Sequence, residues 1–230
     1  MSQKTMTLLL SRRSLLLGSS ALAVSALPAG QIFAAAPTAE EIAVRVQKFY
    51  DSTKTFRANF AQVYFIKVQN KKKESKGKVV FEKPGKMSFS YDSPNGNRVV
   101  SDGKIIKVYE KDAEQMYETA VQKSQYPAAL SFLMGEGKLV KDFKLKLLDP
   151  ATMKFEGGFV LEGTPKEATP AYQKMLLYVD GQTSQARRVL IIDAQSNRNR
   201  FDFSEPIVNK PVEAKEFEFT PPKGTKIVKP

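Results

Sequence analysis

The side chains most able to do chemistry in this sequence are carboxylates and lysines. The 230 residues include 24 Asp and Glu and 36 Lys and Arg, but no His, Cys or Trp. The absence of His and Cys excludes His/Cys zinc sites, thiolate nucleophiles and Ser-His-Asp triads. Convergent carboxylates would still suffice for acid–base catalysis or for holding a hard metal ion. The candidates are Asp92, Asp102, Asp180 and Asp193. Each stands beside Gly, Ser or Ala at the end of an extended run, where an Asp side chain initiates a turn by bonding its own backbone. Turns, rather than an enzyme or a metal site, are therefore expected. The "GEGKL" stretch lacks phosphate-loop spacing, and no Gly-rich loop joins a strand to a helix. No cofactor is expected.

The lysines divide into two kinds. Lys71, Lys72, Lys73, Lys76 and Lys78 make a basic turn compatible with phosphate binding. The reading is a solvated hairpin tip, and after that electrostatic steering against an anionic membrane or an acidic protein patch. No nucleic-acid partner is expected, because the chain's own N-terminus takes it out of the cytoplasm. Lys83 is different: it ends an apolar strand just before Pro84.

Residues 1–34 read as a secretory signal peptide. Lys4, Arg12 and Arg13 form a positive region, Leu15 to Leu27 an apolar run of 13 residues, and "IFAAAPT" a small-residue cleavage region. The run is shorter than the ~20 residues a membrane span needs. Cleavage after Ala34 leaves 196 residues and lowers the formal charge from +12 to +9. "SRRSLLL" also resembles a twin-arginine export signal, so Sec and twin-arginine routes both stand. No lipobox Cys follows, so a soluble periplasmic protein of a bacterium is expected, with residues 35–230 as one domain.

"PTAEEIAVRVQKFYDS" reads as an amphipathic helix, with Thr38 as N-cap and Ile42, Val46, Phe49 and Tyr50 on its apolar stripe. The period then changes to two. "FRANFAQVYFIKV", "KVVFEK", "KMSFSYD", "NRVVSDG", "KIIKVYE" and "EQMYETA" are short strands separated by Pro-Gly, Asn-Gly and Asp-Gly turns. "YPAALSFLMGEG" interrupts them as a short apolar helix over Ala128 to Met134. Strands resume through "DFKLKLLD", "KFEGGFVLEGT", "YQKMLLYVDG", "QARRVLIIDA", "RNRFDFSE" and a terminal "KEFEFTPPKGTKIV". About eleven antiparallel strands with few helices predict an unclosed half-barrel with helices over its mouth, in preference to two packed sheets.

The alternation selects an inner face. Phe56 and Phe60, Val79 and Phe81, and Met87, Phe89 and Tyr91 each share a parity on successive strands. If these sets face inward, Lys83 lies at the rim of an apolar concavity. There it meets carbonyls of a lid or a ligand headgroup, or else extends to water. Such a face meets either protein or an apolar ligand. On the second reading, Phe89→Glu removes ligand binding and spares the fold.

These stretches resemble the LolA family of periplasmic lipoprotein carriers. "FRANFAQ", "GKVVFEKPGKMSFSYDSP", "VVSDGKIIKVY" and "FEFTPPKG" are similar to family motifs in the same order, from residue 56 to residue 224. The resemblance implies an eleven-stranded unclosed barrel with a helical lid over a cavity for the acyl chains of lipoproteins. It implies an inner-membrane LolCDE transporter as donor and an outer-membrane LolB receptor, or an unknown equivalent, as acceptor. It places Phe89 and Tyr91 inside the barrel and Lys83 against the lid, where many members carry Arg. It places Leu130, Leu133 and Met134 on the lid helix by position. The carrier is expected to be a monomer. Three other readings use the same residues. An outer-membrane receptor needs an acylated N-terminal Cys that the chain lacks. A periplasmic lipid- or lipoprotein-sensing regulator, or a lipid shuttle, fits the same scaffold, though such sensors usually carry a second domain. A lipid or glycan hydrolase lacks a carboxylate pair.

Overall fold

Capping fixes where the first element begins. In the computed structural model, which describes residues 36–121 and 137–229, Thr38 starts helix α1 (Ala39–Ser52) with a capping box. The Thr38 Oγ1 accepts from the Glu41 N–H at 3.2 Å, and the Glu41 carboxylate accepts from the Thr38 N–H at 2.8 Å. The helix ends where Thr53 turns extended and its N–H donates to the Tyr50 carbonyl at 3.1 Å. Ile42, Ala43, Val46 and Tyr50 are buried. Phe49, assigned to the same stripe by spacing, is only half-buried and meets Tyr50 edge-on at 5.0 Å.

Among the described residues, twelve strands form one sheet. The first meander is β1 (Thr55–Ile66), β2 (Lys71–Glu82), β3 (Lys86–Tyr91), β4 (Arg98–Asp102), β5 (Ile105–Glu110) and β6 (Gln115–Ala120). A four-residue helix, α2 (Leu139–Asp142), leads into the second: β7 (Phe143–Leu148), β8 (Gly158–Pro165), β9 (Lys174–Asp180), β10 (Ala186–Ile192) and β11 (Arg198–Val208). β11 pairs antiparallel with β1 and joins the two meanders. The spatial order runs from β12 (Lys226–Val228) through β6 and β1 to β7, so the sheet ends at two edges and does not close. It is a half-barrel, as the strand inventory predicts, and not a sandwich.

The C-terminal segment departs from the expected single strand. Ala214–Phe217 is a 3-10 helix, and only Lys226–Val228 pairs, parallel to β6. Pro221 and Pro222 lack the N–H groups a ladder needs. Phe217 instead packs on Val80 and Val100, closing a small cluster on the outer face. β12 thus lies within the stretch expected as the last strand, and the described residues hold twelve strands where about eleven were expected. The apolar helix expected over Ala128 to Met134, with Leu130, Leu133 and Met134, lies outside the described residues.

The main core fills the inner face. α1 supplies Ile42, Ala43, Val46 and Tyr50, and the strands supply alternate residues from both meanders. A second outer cluster of Val160, Leu176 and Tyr178 lies under Met153 and Phe155. β9 is therefore buried on both faces, which is why "MLLYV" reads as a continuous apolar run.

Candidate functional site

Three of the four candidate carboxylates serve their own turns. The Asp102 Oδ1 accepts from the N–H groups of Lys104 and Ile105 at 2.7 and 2.8 Å. The Asp180 Oδ1 accepts from those of Gln182 and Thr183 at 3.1 and 2.8 Å. The Asp193 Oδ1 accepts from those of Gln195 and Asn197, both at 2.9 Å. The bond from the Ile105 N–H holds the Asp102 carboxyl below the usual range, and that from Thr183 does the same for Asp180. Asp92 lies exposed in the loop after β3.

The inward parity sets converge. Phe56 stands opposite Phe81, Ala58 opposite Val79, and Phe60 opposite Gly77 across the β1–β2 ladder. Val79 stands opposite Phe89, and Phe81 opposite Met87, across β2–β3. Phe60 and Phe89 are the hub: their ring centroids are 5.4 Å apart. Tyr91 lies 5.1 Å from Phe60, Phe81 lies 5.8 Å from Phe89, and Phe201 lies 6.0 and 5.9 Å from the two hub rings. Most of these pairs are tilted or edge-to-face, the arrangement the ring quadrupole favours. Gly77 lets the β3 backbone approach β2 closely, because a Cβ there would lie 2.0 Å from the Ser90 carbonyl oxygen.

In this structure the inner face meets protein. Phe56, Phe60, Val79, Phe81, Met87 and Phe89 are at most 3% exposed, while Tyr91 is half-buried. Over them lies α1. Phe201, Phe203 and the inward residues of β8 and β9 complete the face. The shared parity of β1 to β3 does not reach these residues. "RNRFDFSE" carried the needed alternation, whereas the two-sided burial of β9 hides it.

Polar contacts hold α1 down at its C-terminal end. The Lys83 ammonium donates to the Tyr50 carbonyl in the last turn of the helix, and that carbonyl also accepts from the Thr53 N–H. Burial lowers the Lys83 pKa, opposed by the charge of Asp51 and assisted by that of Lys138. The buried Tyr50 hydroxyl accepts from the Ala186 N–H at 3.2 Å, and burial raises its pKa. One residue of α1 thus bonds to the end of β2 and the start of β10. Nearby, Asp51 pairs with Lys138 at 3.1 Å, and the Gln47 Oε1 accepts from the Leu139 N–H at 3.0 Å. These two contacts tie α1 to α2.

An unclosed half-barrel with an apolar inner face under a tethered helix is the architecture of a binding protein for apolar ligands. The chain matches the family model described as outer membrane lipoprotein carrier protein LolA over residues 51–220. It is 31% identical over 181 residues to the outer-membrane lipoprotein carrier protein of Methylibium petroleiphilum, covering 78% of this chain and 85% of that one. It is 30% identical over 212 residues to the outer-membrane lipoprotein carrier protein of Cupriavidus pinatubonensis, covering 90% and 97%. In fold it is similar to an uncharacterised conserved protein of Thermus thermophilus, with a TM-score of 0.50 at 16% identity over 84% of this chain and 99% of that one. The chain belongs to the LolA family.

Proposed function

We propose that this protein is a periplasmic carrier that takes lipoproteins by their acyl chains at the inner membrane and delivers them to the outer membrane. The observation that carries the reading is the inner face itself. It is apolar along its length, contributed by both meanders, and roofed by a helix held at one end by a few polar contacts. Hydrocarbon entering this core would meet Phe60, Phe89, Met87 and Phe201. The other inward candidates, Phe56, Val79, Phe81 and Tyr91, extend the same wall, and Leu130, Leu133 and Met134 extend the lid. Lys83 acts as a latch on α1.

The energetics require such a sleeve. Burying acyl chain stabilises by roughly 0.8 kcal/mol per CH₂, so a chain of ~15 such groups costs about 12 kcal/mol to bring into water. Release requires a lid that yields. Lysine suits this better than Arg, since it bonds as a point charge without a bidentate fork. Residues 1–34 act as the export signal, and residues 35–230 as the carrier domain. An inner-membrane complex of the LolCDE type supplies the cargo, and a LolB-type receptor or its equivalent accepts it. The role is binding, without catalysis.

The test is recovery of the tagged protein from the periplasm with intact-mass analysis of what accompanies it. Lipid-modified proteins at near-equal stoichiometry support the carrier. Recovery of free lipid alone, or a chain that takes no lipoprotein from inner-membrane vesicles, overturns it.

A further inference from the structure

The end of the β1–β2 hairpin farthest from Lys83 has a composition that the inner face does not explain. β3 pairs with β2 only from Gly77 to Glu82. Among the described residues, Lys71 to Ser75 therefore have a strand on one side only, which is β1. In that ladder Ile66 faces Lys71, Phe65 faces Lys72 and Tyr64 faces Lys73. Opposite residues share a face, and successive pairs alternate faces. Lysines thus leave the hairpin on both sides, each beside a large apolar neighbour. β11 adds Arg198 opposite Phe65 and Arg200 opposite Val63.

The tip between the strands is a defined turn. The Asn70 N–H donates to the Lys67 carbonyl at 3.1 Å, and the Asn197 side chain accepts from the Lys67 N–H at 3.0 Å. The turn holds Val68 90% exposed, more than any other large hydrophobic side chain among the described residues. Glu74 is the anion at this end of the hairpin, and it is paired with Lys72. Asp92 and Asp112 lie farther back, lining an open recess of about 590 Å³ with Lys76 and Arg200. Lys67, Lys71 and Lys73 form no ion pair among the described residues; Lys67 neighbours Val68 in the turn, and Lys71 and Lys73 follow it on β2.

Lysines on an unpaired strand edge discourage edge-to-edge association. That accounts for Lys71 to Lys73 but not for an exposed valine at the tip, which works against it. Lys71 and Lys73 share a face, and Lys72 on the other is paired with Glu74. An acidic protein patch would complement the free lysines but set Val68 against charge, whereas a headgroup layer over hydrocarbon complements both. We propose that this hairpin end docks on anionic phospholipid bilayers, with Val68 among the headgroups and Lys67, Lys71 and Lys73 on their phosphates. The contact is transient and salt-sensitive, because the charges stay hydrated and within reach of counterions. β2 runs about 40 Å at ~3.3 Å per residue, so docking leaves the Lys83 end of the sheet clear of the surface. The inference does not depend on what the inner face binds.

The test is co-sedimentation of the processed protein, purified from cells, with vesicles of phosphatidylglycerol in phosphatidylcholine and of phosphatidylcholine alone. Binding is expected only to the first, falling as salt rises. A Lys67→Gln, Lys71→Gln, Lys73→Gln variant is expected to partition roughly a hundredfold less, at about fivefold per lysine. Val68→Asp is expected to weaken binding too. A control variant with Lys48→Gln, Lys144→Gln and Lys223→Gln, all exposed elsewhere, carries the same charge loss and is expected to keep binding within a few-fold. Melting curves show that each variant folds. Equal losses in the two triple variants, or no vesicle binding by the parent at low salt, overturn the proposal. So does binding of an acidic protein at the hairpin without binding of vesicles. Cargo recovery is measured on the same variants and is expected to be unchanged, so failure of docking and failure of the carrier reading are read separately.

Discussion

β2 is one strand with two characters. Gly77 and Val79 to Phe81 are buried, whereas Lys71 to Glu74 and Lys76 are exposed. Both halves pair with β1. The buried half also has β3 beside it, the inner core beneath its odd residues, and Phe217 over Val80. The charged half has none of that cover. Strand formation there is sustained by one ladder and a turn, so burial follows from what lies over a strand and not from the strand itself. The protein uses the difference: one end of β2 builds an apolar wall and its latch, and the other presents charge to the surroundings.

The contrast can be broken most strongly from the buried side. Phe89→Ala is expected to destabilise by about 3–5 kcal/mol in a denaturant titration, because it removes a hub ring from a filled interior. Phe89→Glu is expected to cost more and to lower soluble yield, since a carboxylate 1% exposed among rings has no partner. The selective loss of binding that the sequence alone suggests for that change does not fit this burial. Gly77→Ala is expected to cost about 1–3 kcal/mol, as the new methyl drives β2 from the Ser90 carbonyl. The same probe in the charged half, at exposed Lys76 (Lys76→Ala), is expected to stay within about 0.5 kcal/mol.

The latch gives a smaller effect with a local readout. Lys83→Met keeps the stem and removes the donor, and the Thr53 N–H still serves the Tyr50 carbonyl. A loss of about 0.5–1.5 kcal/mol is expected, seen as faster hydrogen exchange in α1 with little change in the sheet. The lowered pKa of Lys83 also has a pH signature. Between its folded-state value and the ordinary lysine value, the unfolded chain binds more protons, so this group makes stability rise with pH across that alkaline window. Lys83→Met is expected to flatten that rise. The smallest effect on stability is expected from Lys67, Lys71 and Lys73 together changed to Gln, within about 0.5 kcal/mol.

The half-barrel was legible because its strands alternate and their turns are marked by Gly, Pro, Asn and Asp. The inward set on β1 to β3 was legible for the same reason, and the order of four motifs supplied the family. Three things were not. β9 is buried on both faces, so its run of apolar residues shows no period. The C-terminal segment looks like a strand by alternation, yet Phe217 covers the outer face instead, a tertiary use that local pattern does not encode. The bond from the Ala186 N–H to the Tyr50 hydroxyl joins residues 136 positions apart, and neither residue type announces it.

The most direct test of the inner face as the acyl site is photo-crosslinking from two positions on one sheet. A photoreactive phenylalanine analogue is placed at Tyr91, half-buried beside Phe60 on the inner face, or at Phe65, half-buried on the outer face of β1. Each variant is loaded with a lipoprotein carrying palmitoyl chains, and the adducts are mapped by mass spectrometry. The expected result is acyl-chain adducts from position 91 and none from position 65. Acyl adducts from position 65 alone, or equally from both, would contradict the assignment of the inner face.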